Sequence, residues 1–206
     1  MNKTVYLIRH SGPFVDLGNI DNVPFELQSE RMILSVDAEK KAQNLSEDIK
    51  FNDVDQIYSA NSNRAIATIK YIANKNNLMV NVQNEINERK FGINYISDLP
   101  QNFIEDQFMD ENYKLPKGES LLETRQRMDK FITNLLKDPK SKKIVLSLHG
   151  IAIMAYLKKF CNVEFYDRKF KLTFNNKIVC DRKLNNPDVF ELEFDLSGNL
   201  LKIKAY

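Results

Sequence analysis

Short apolar runs alternate along the chain with stretches whose apolar residues recur at helical spacing. The runs predict strands at residues 5–8, 55–60, 78–82 and 143–148. The helical spacing predicts helices over residues 36–49, 64–75, 120 to about 136, and 151–160. Because apolar strands alternate with helices, the pattern predicts an α/β protein, a three-layer α/β/α sandwich with a mainly parallel central sheet.

Polar residues mark where several of these elements begin or turn. Ser35 is placed to cap the first predicted helix. The apolar stripe of that helix comprises Ala38, Ala42, Leu45 and Ile49. Ser120 and Glu123 have the spacing of a capping box, in which each side chain accepts a hydrogen bond from a backbone amide. Residues 189–206 predict a terminal hairpin that turns at residues 197–199.

Residues 86–117 have no firm apolar period, although they include five aromatic side chains. They predict an irregular segment, and we interpret residues from about 90 to 117 as a variable insertion that caps the sheet. No stretch has the composition of a linker, so residues 1–206 predict a single domain.

Composition narrows the partners and the location. The 30 Lys and Arg residues nearly balance 28 Asp and Glu residues and are scattered, which argues against nucleic acid or a membrane as partner and leaves a small polar ligand. No apolar run approaches the roughly 20 residues of a membrane span and no signal peptide is recognisable, so a cytoplasmic protein is expected. Cys161 and Cys180 match no metal or redox spacing and are expected to be buried, reduced thiols. The pattern indicates no particular oligomeric state.

The chain has only two histidines, and both follow predicted strands. His10 comes just after the first strand, and His149 comes just after the strand that precedes the last predicted helix. Arg64 follows another strand in the same way, and Arg9 adjoins His10. Since the carboxyl ends of parallel strands open on one edge of a sheet, we expect these four side chains to surround one pocket. A phosphoryl group suits such a pocket, because arginine forks and helix amides both bind its oxygens.

Five short motifs resemble, in order and spacing, those of the histidine phosphatase superfamily, also called the phosphoglycerate mutase-like family. They are LIRH, YSANSNRAIAT, INERKFG, GESLLET and VLSLHG, within residues 5–150. The resemblance implies a single phosphoglycerate mutase-like α/β/α domain with no metal and no other cofactor. It also implies an enzyme, a phosphoric monoester hydrolase that acts on a small phosphorylated metabolite.

The resemblance further implies a role for each matching residue. His10 would be the nucleophile that becomes phosphohistidine, and Arg9 and Arg64 would clamp the phosphate. His149 would hold a phosphoryl oxygen as part of the catalytic and phosphate-binding group. Glu88, within the INERKFG motif, would be the proton donor.

The chemistry of these residue types agrees with the implied roles. To attack phosphorus, His10 must be neutral, and neighbouring arginine charges favour this by lowering its pKa. Cationic groups around the equatorial oxygens stabilise an in-line transition state. The leaving oxygen needs a proton, which Glu88 can give and later recover from water, with Glu85 as the alternative donor. After His10 the family has a glycine and then an acid or amide, whereas this chain has Ser11 and Gly12.

Hydrolysis is the favoured reaction, and two alternatives stay open. A mutase would return the phosphoryl group to a second hydroxyl. The paired arginines by which mutases hold the substrate carboxylate, however, have no counterpart in residues 93–117. A non-catalytic phosphate-binding module would keep Arg9, Arg64 and His149 but would have no need of His10.

The acceptor side of the pocket is expected from residues 13–34 and 90–117, and a sugar phosphate is the default substrate. The aromatic side chains of these segments either stack on a sugar or nucleoside or form a small core of their own. They include Phe14, Phe25, Tyr95 and Phe103.

Overall fold

The computed structural model describes residues 2–14 and 23–206, so part of the expected acceptor segment 13–34 lies outside the described residues. The described part of the chain contains nine strands and six α-helices. In chain order they are β1 (Lys3–Arg9), α1 (Phe25–Arg31), α2 (Val36–Ser46), β2 (Gln56–Ser59), α3 (Asn63–Lys75), β3 (Asn81–Val82), α4 (Phe103–Met109), α5 (Leu121–Lys137), β4 (Lys143–Leu148), α6 (Gly150–Leu157), β5 (Asn162–Tyr166), β6 (Lys169–Phe174), β7 (Lys177–Arg182), β8 (Asp188–Phe194) and β9 (Leu200–Ala205). Short 3-10 turns occur at Ile49–Phe51, Asn84–Ile86 and Ile96–Asp98.

The central sheet has the strand order β3, β2, β4, β1, β8, β9. The first four of these strands are parallel, and the terminal hairpin of β8 and β9 extends the sheet in antiparallel register. β1 lies directly beside β4, with Arg9 opposite Leu148. The predicted fold class, an α/β sandwich with a mainly parallel sheet, is therefore confirmed, and the ends of β1 and β4 share one edge.

Helices cover both faces of the sheet because its central strands are apolar on both sides. Leu7 packs with Met128 of α5 and Ile153 of α6 on one face. The next residue, Ile8, packs with Ile69 of α3 on the opposite face. Each such side chain contributes roughly 1.5–3 kcal/mol on full burial, so the two layers fix the position of the strand ends firmly.

The predicted helix over residues 36–49 is wrong at its end. α2 stops earlier, and Ile49 lies in a 3-10 turn with 80% of its surface exposed rather than on the apolar stripe. The carboxylate of Asp48 accepts a hydrogen bond from the Lys50 amide over 3.0 Å, and this local cap competes with continuation of the helix. Ser35 does cap the start of α2, as predicted.

Two other segments differ from the prediction. The strand expected at residues 78–82 shrinks to β3, because the Leu78 amide still bonds the Ala73 carbonyl at the end of α3. Helix α4 forms inside the segment predicted to be irregular, and its buried residues are Phe103 and Gln107. With no regular apolar stripe, this helix is stabilised by contacts from other parts of the chain rather than by its own sequence pattern.

Strands β5, β6 and β7 form a second, antiparallel sheet that the apolar pattern did not predict. Leu172 and Cys180 join it to the core cluster that includes α5 and α6. Both cysteines are free and buried, and burial raises the pKa of the Cys161 thiol to about 12. The capping box at Ser120 and the terminal hairpin are both present as predicted. Among the helices described, none is long and apolar enough to cross a membrane.

Candidate active site

His10 and His149 meet because their strands are neighbours. Just past the paired ends of β1 and β4, the backbone amide of His10 donates to the Leu148 carbonyl over 2.9 Å. The two imidazole centroids are 5.0 Å apart, with the rings inclined by 66°. Both side chains are buried. The structure thus brings the only two histidines of the chain together at the carboxyl edge of the sheet.

Hydrogen bonds define the protonation of the His10 ring. Its Nδ1 lies 2.7 Å from the carbonyl oxygen of Ser11, which can only accept, so Nδ1 carries the proton. The lone pair is therefore on Nε2, which accepts a hydrogen bond from Nε of Arg64 over 3.0 Å. This is the tautomer that a nucleophilic imidazole needs.

The surroundings keep both imidazoles uncharged. Burial, and then the charge of Arg64, lower the pKa of His10 to about 3, with a further lowering from Arg9 against the opposing effect of the Ser11 carbonyl. Burial and Arg64 likewise hold the pKa of His149 well below its ordinary value. At neutral pH the two rings add no positive charge to the site.

Arg64 links the two histidines. Ser62 caps α3 and so sets the second residue of that helix, Arg64, at the sheet edge. One terminal nitrogen of Arg64 lies 3.1 Å from Nδ1 of His149, which leaves the proton of that ring on Nε2, 3.4 Å from the Ser62 hydroxyl. The guanidinium also bonds the backbone carbonyl of Ser29 and, over 3.0 Å, its hydroxyl. Burial lowers the pKa of Arg64 to about 10, so it stays charged at neutral pH.

Arg9 is held by the loop between β7 and β8. Its Nη1 donates to the carbonyls of Leu184 and Asn185 over 2.8 and 3.2 Å. Its buried Nε has no hydrogen-bond partner among the described residues. A Cβ on Gly150 would lie 3.1 Å from this Nε, so the glycine allows the close approach of Arg9 to the start of α6. A buried donor without an acceptor is unusual in a folded protein, and an oxyanion is the kind of group that could satisfy it.

A cavity of about 500 Å³ opens beside this group, with His149 and Glu88 both in its wall. The negative charge of Glu88 favours the charged forms of Arg9 and Arg64, which places it within electrostatic range of both guanidiniums. Glu85 is exposed and is not among the described residues that line the cavity. Of the two candidate proton donors, the structure brings only Glu88 to the cavity.

Arg127 of α5 is a part of the site that the sequence analysis missed. Its guanidinium donates to the backbone carbonyls of Glu85, Asn87 and Glu88. It also forms a two-nitrogen contact of 2.7 and 2.9 Å with the Glu119 carboxylate. Arg127 therefore fixes the loop that carries Glu88. The signal available in the sequence was the GES part of the GESLLET motif, whose Glu119 pairs with Arg127 eight residues later.

Two glycines bring the Glu88 loop against the start of α5. Gly92 has a φ of +76°, and a Cβ there would lie 2.3 Å from the backbone nitrogen of Gly118. A Cβ on Gly118 would in turn lie 2.7 Å from the Phe91 carbonyl oxygen. Only glycine fits this close backbone approach, which explains why the two motifs carry glycine at these positions.

The residue after His10 has a structural use here. The buried Ser11 hydroxyl donates to the Ala38 carbonyl over 2.8 Å, and its amide donates to the Thr68 hydroxyl. The Ser11 side chain therefore bonds the backbone of α2 and does not line the cavity as described. Within the described residues, no group of three or more His, Cys, Asp and Glu side chains is arranged to hold a metal ion.

Known proteins resemble the chain as follows. The sequence matches the profile of the histidine phosphatase superfamily (branch 1) over residues 5–182. No curated protein sequence is significantly similar to it. A mycobacterial glucosyl-3-phosphoglycerate phosphatase has a TM-score of 0.69 at 16% identity, over 100% of this chain and 97% of that one.

Two other solved structures show the same likeness. An Escherichia coli protein provisionally assigned as an alpha-ribazole-5'-P phosphatase has a TM-score of 0.65 at 17% identity, over 98% of this chain and 96% of that one. YhfR from Bacillus stearothermophilus has a TM-score of 0.64 at 15% identity, over 97% and 94% of the two chains. At these identities the likeness establishes the fold, while the profile match spans most of the chain. The expected fold, family and phosphatase class of enzyme are therefore confirmed. The chain belongs to branch 1 of the histidine phosphatase superfamily.

Proposed function

We propose that this protein is a cytosolic phosphatase that hydrolyses a small phosphomonoester, without a metal, through a phosphohistidine on Nε2 of His10. The main support is the neutral His10 ring, whose lone pair on Nε2 faces the donors of Arg64 beside His149. A pocket that only bound phosphate would gain nothing from a nucleophile kept neutral in this way.

In the first half-reaction, the phosphoryl group takes the place of the contacts that Arg64 makes to His10 and Ser29. The Nε2–P bond forms as the P–O bond to the substrate alcohol breaks, with Arg9, Arg64 and His149 donating to the phosphoryl oxygens. The departing oxygen takes the proton of the Glu88 carboxyl group. The products are the free alcohol and phosphohistidine.

In the second half-reaction, a water molecule occupies the position that the alcohol has left. The Glu88 carboxylate accepts a proton from this water as its oxygen attacks phosphorus. The N–P bond breaks, and its electron pair returns to Nε2 of His10. Inorganic phosphate leaves, and the enzyme is restored.

The cavity supports a small phosphorylated metabolite as the substrate, in keeping with the glucosyl-3-phosphoglycerate phosphatase named above. Phe25 and Phe91 line it, with ring centroids 5.0 Å apart, and give an apolar surface on which a sugar could lie. Phe103 instead packs within the insertion against Phe91 and Tyr113. Phe14 and Tyr95 are exposed and do not line the cavity as described.

Hydrolysis of p-nitrophenyl phosphate in the presence of a chelator, by the wild type and by His10→Ala, tests the proposal. We expect turnover that resists the chelator and is lost in the variant, together with acid-labile labelling of the wild type by radioactive phosphate from substrate. Turnover that survives in His10→Ala, or that needs a metal, would overturn it.

The same preparation distinguishes the two alternatives. Phosphorus NMR of the products from phosphorylated sugars and glycerates separates free phosphate from an isomerised phosphoester, which would indicate a mutase. Calorimetric binding of inorganic phosphate without any turnover would indicate a binding module.

A further inference from the structure

Arg89 is a buried cation in the wall of the cavity. Only 2% of its surface is exposed, and neither terminal nitrogen of its guanidinium has a hydrogen-bond partner among the described residues. Buried charged groups are normally paired, because burying an unpaired charge is costly. The proposed roles of His10, Arg9, Arg64, His149 and Glu88 leave this guanidinium unused.

The rest of the Arg89 side chain is fixed. Its Nε donates to the side-chain oxygen of Gln107, which is itself buried. The amide nitrogen of Gln107 donates to the carbonyls of Tyr113 and Glu119, which sets the orientation of the amide. The guanidinium lies over the Phe91 ring, 4.4 Å from its centroid. Only the two terminal nitrogens remain to bind a ligand, and they are held in place before it arrives.

The nearest carboxylate belongs to Glu88, the proposed proton donor. Its Oε1 lies 3.6 Å from Nη1 of Arg89, which is too long for a hydrogen bond, and it already accepts from the Arg89 amide over 3.0 Å. Glu88 is the more exposed member of this pair, with 20% of its side chain exposed against 0% for Arg89, and both residues line the cavity. To act as the proton donor, Glu88 must first take up a proton and turn toward the leaving oxygen, and the terminal nitrogens of Arg89 then lose their nearest negative charge.

We propose that Arg89 binds a second anionic group of the substrate, a carboxylate or a second phosphate, when Glu88 turns to the reacting oxygen. This inference rests on the proposed phosphatase function and narrows its substrate class to phosphomonoesters that carry another oxyanion. The planar fork of an arginine suits such a group, since two parallel N–H bonds can reach its two oxygens. Because the charge of Glu88 is replaced only as the enzyme enters the reactive arrangement, the second anion raises kcat as well as affinity.

Matched substrates test this directly. 3-Phosphoglycerate and glycerol 3-phosphate differ only in a carboxylate against a hydroxymethyl group, and fructose 1,6-bisphosphate and fructose 6-phosphate differ by a second phosphate. We expect the member that carries the second anionic group, in at least one pair, to have a kcat/KM about 10 to 100 times higher, the factor expected for a hydrogen bond to a charged group. The pair that shows the preference identifies the anion. Equal kcat/KM within both pairs would overturn the inference.

Three variants locate the effect on the ratio of kcat/KM. Arg89→Met keeps the length and apolar contacts of the side chain, and we expect it to lower the ratio of kcat/KM within the preferred pair by about 10 to 100 times. Lys90→Met removes the exposed neighbouring cation, which also lines the cavity. Arg168→Met, in the exposed turn between β5 and β6, is the remote control. A ratio that falls in Lys90→Met but not in Arg89→Met would assign the anion to Lys90 and contradict the proposal.

A measurement on the wild type alone covers the case in which Arg89→Met does not fold. Calorimetry compares 3-phosphonopropionate and propane-1,3-bisphosphonate with propylphosphonate, which lacks the second anion. Tighter binding of one of the first two, by at least about tenfold, supports the Arg89 site even if no substrate is turned over. Absence of turnover alone would count against the phosphatase proposal, whereas turnover with no preference in substrates or phosphonates would count against Arg89.

Discussion

The Nε atom of Arg64 donates a hydrogen bond to Nε2 of His10 over 3.0 Å, so the guanidinium that would bind the phosphate covers the nitrogen that would attack it. A protonated Nε2 could not accept this bond. The contact therefore adds to burial in favouring the neutral imidazole. In the proposed mechanism, substrate phosphate replaces this contact with stronger ones, since Arg64 exchanges a neutral acceptor for charged phosphoryl oxygens.

The neutral His10 predicts a dependence of stability on pH. Its pKa is about 3 in the folded protein and near 6.5 when unfolded, so between these values the unfolded chain binds a proton that the folded one does not. The contribution of the neutral His10 ring to stability is therefore fully present above about pH 6.5 and is lost as the pH falls toward 3. We expect the unfolding free energy of the wild type minus that of His10→Gln to fall by about 1.4 kcal/mol for each unit by which the pH is lowered from 6 to 4.

Urea unfolding at pH 7, 6, 5 and 4 measures this difference. Carboxylates contribute similarly to both proteins, so the comparison reports the titration of His10 together with its effect on the neighbouring His149. Parallel stability curves across this range would show that His10 titrates normally in the folded protein.

The nature of the leaving group should reveal the proton donor. Glu88→Gln removes the proton that an alkoxide needs, so we expect kcat/KM for glycerol 3-phosphate to fall by about 10² to 10⁴. The loss should be much smaller for p-nitrophenyl phosphate, because nitrophenolate leaves readily without a proton. Glu85→Gln is the matched control and should change neither substrate by more than about twofold. The opposite pattern would assign the proton to Glu85.

Local signals in the sequence were sufficient for the carboxyl ends of β1 and β4 and for the helix caps at Ser35 and Ser120. β1 and β4 are apolar on both faces, so their limits, and with them His10 and His149, follow from the residues themselves. Arg127 could not be placed in this way, because its loop contacts are formed by burial of distant segments, as with the Asn87 carbonyl 40 residues away. The same holds for Arg89, whose unpaired nitrogens become evident only when α4 places Gln107 on its Nε.

Arg127 is expected to position the Glu88 loop without touching substrate. Arg127→Met removes three bonds to loop carbonyls and the contact with Glu119, so we expect a loss of about 2–4 kcal/mol in stability. The kcat for glycerol 3-phosphate should fall at least about tenfold, with a smaller change in KM, because the displaced group is Glu88 rather than the phosphate-binding arginines.

The control for Arg127 lies on the same helix. Among the described residues, Arg125 pairs with Glu111 alone, through two contacts of 2.9 Å, and its side chain is 19% exposed against 21% for Arg127. Arg125→Met should cost about 1–2 kcal/mol with kcat unchanged. Arg127→Lys keeps the charge but cannot reach all the carbonyls, and it should restore kcat only in part. An unchanged kcat in Arg127→Met, in protein that remains folded, would contradict the positioning role.

Two of the described glycines have a positive φ and give a last test, which separates backbone strain from close packing. Gly92 and Gly198 have φ values of +76° and +83°, but only Gly92 has backbone within reach of a Cβ, at 2.3 Å from the Gly118 nitrogen. Gly198→Ala should therefore cost only the conformational strain, about 1–2 kcal/mol. Gly92→Ala adds a backbone clash that must separate the Glu88 loop from α5, so we expect a loss at least about 2 kcal/mol larger, together with reduced kcat. Thermal and urea unfolding of the two variants measure this difference, and equal losses would show that the approach of Gly92 to Gly118 is not needed to hold the loop.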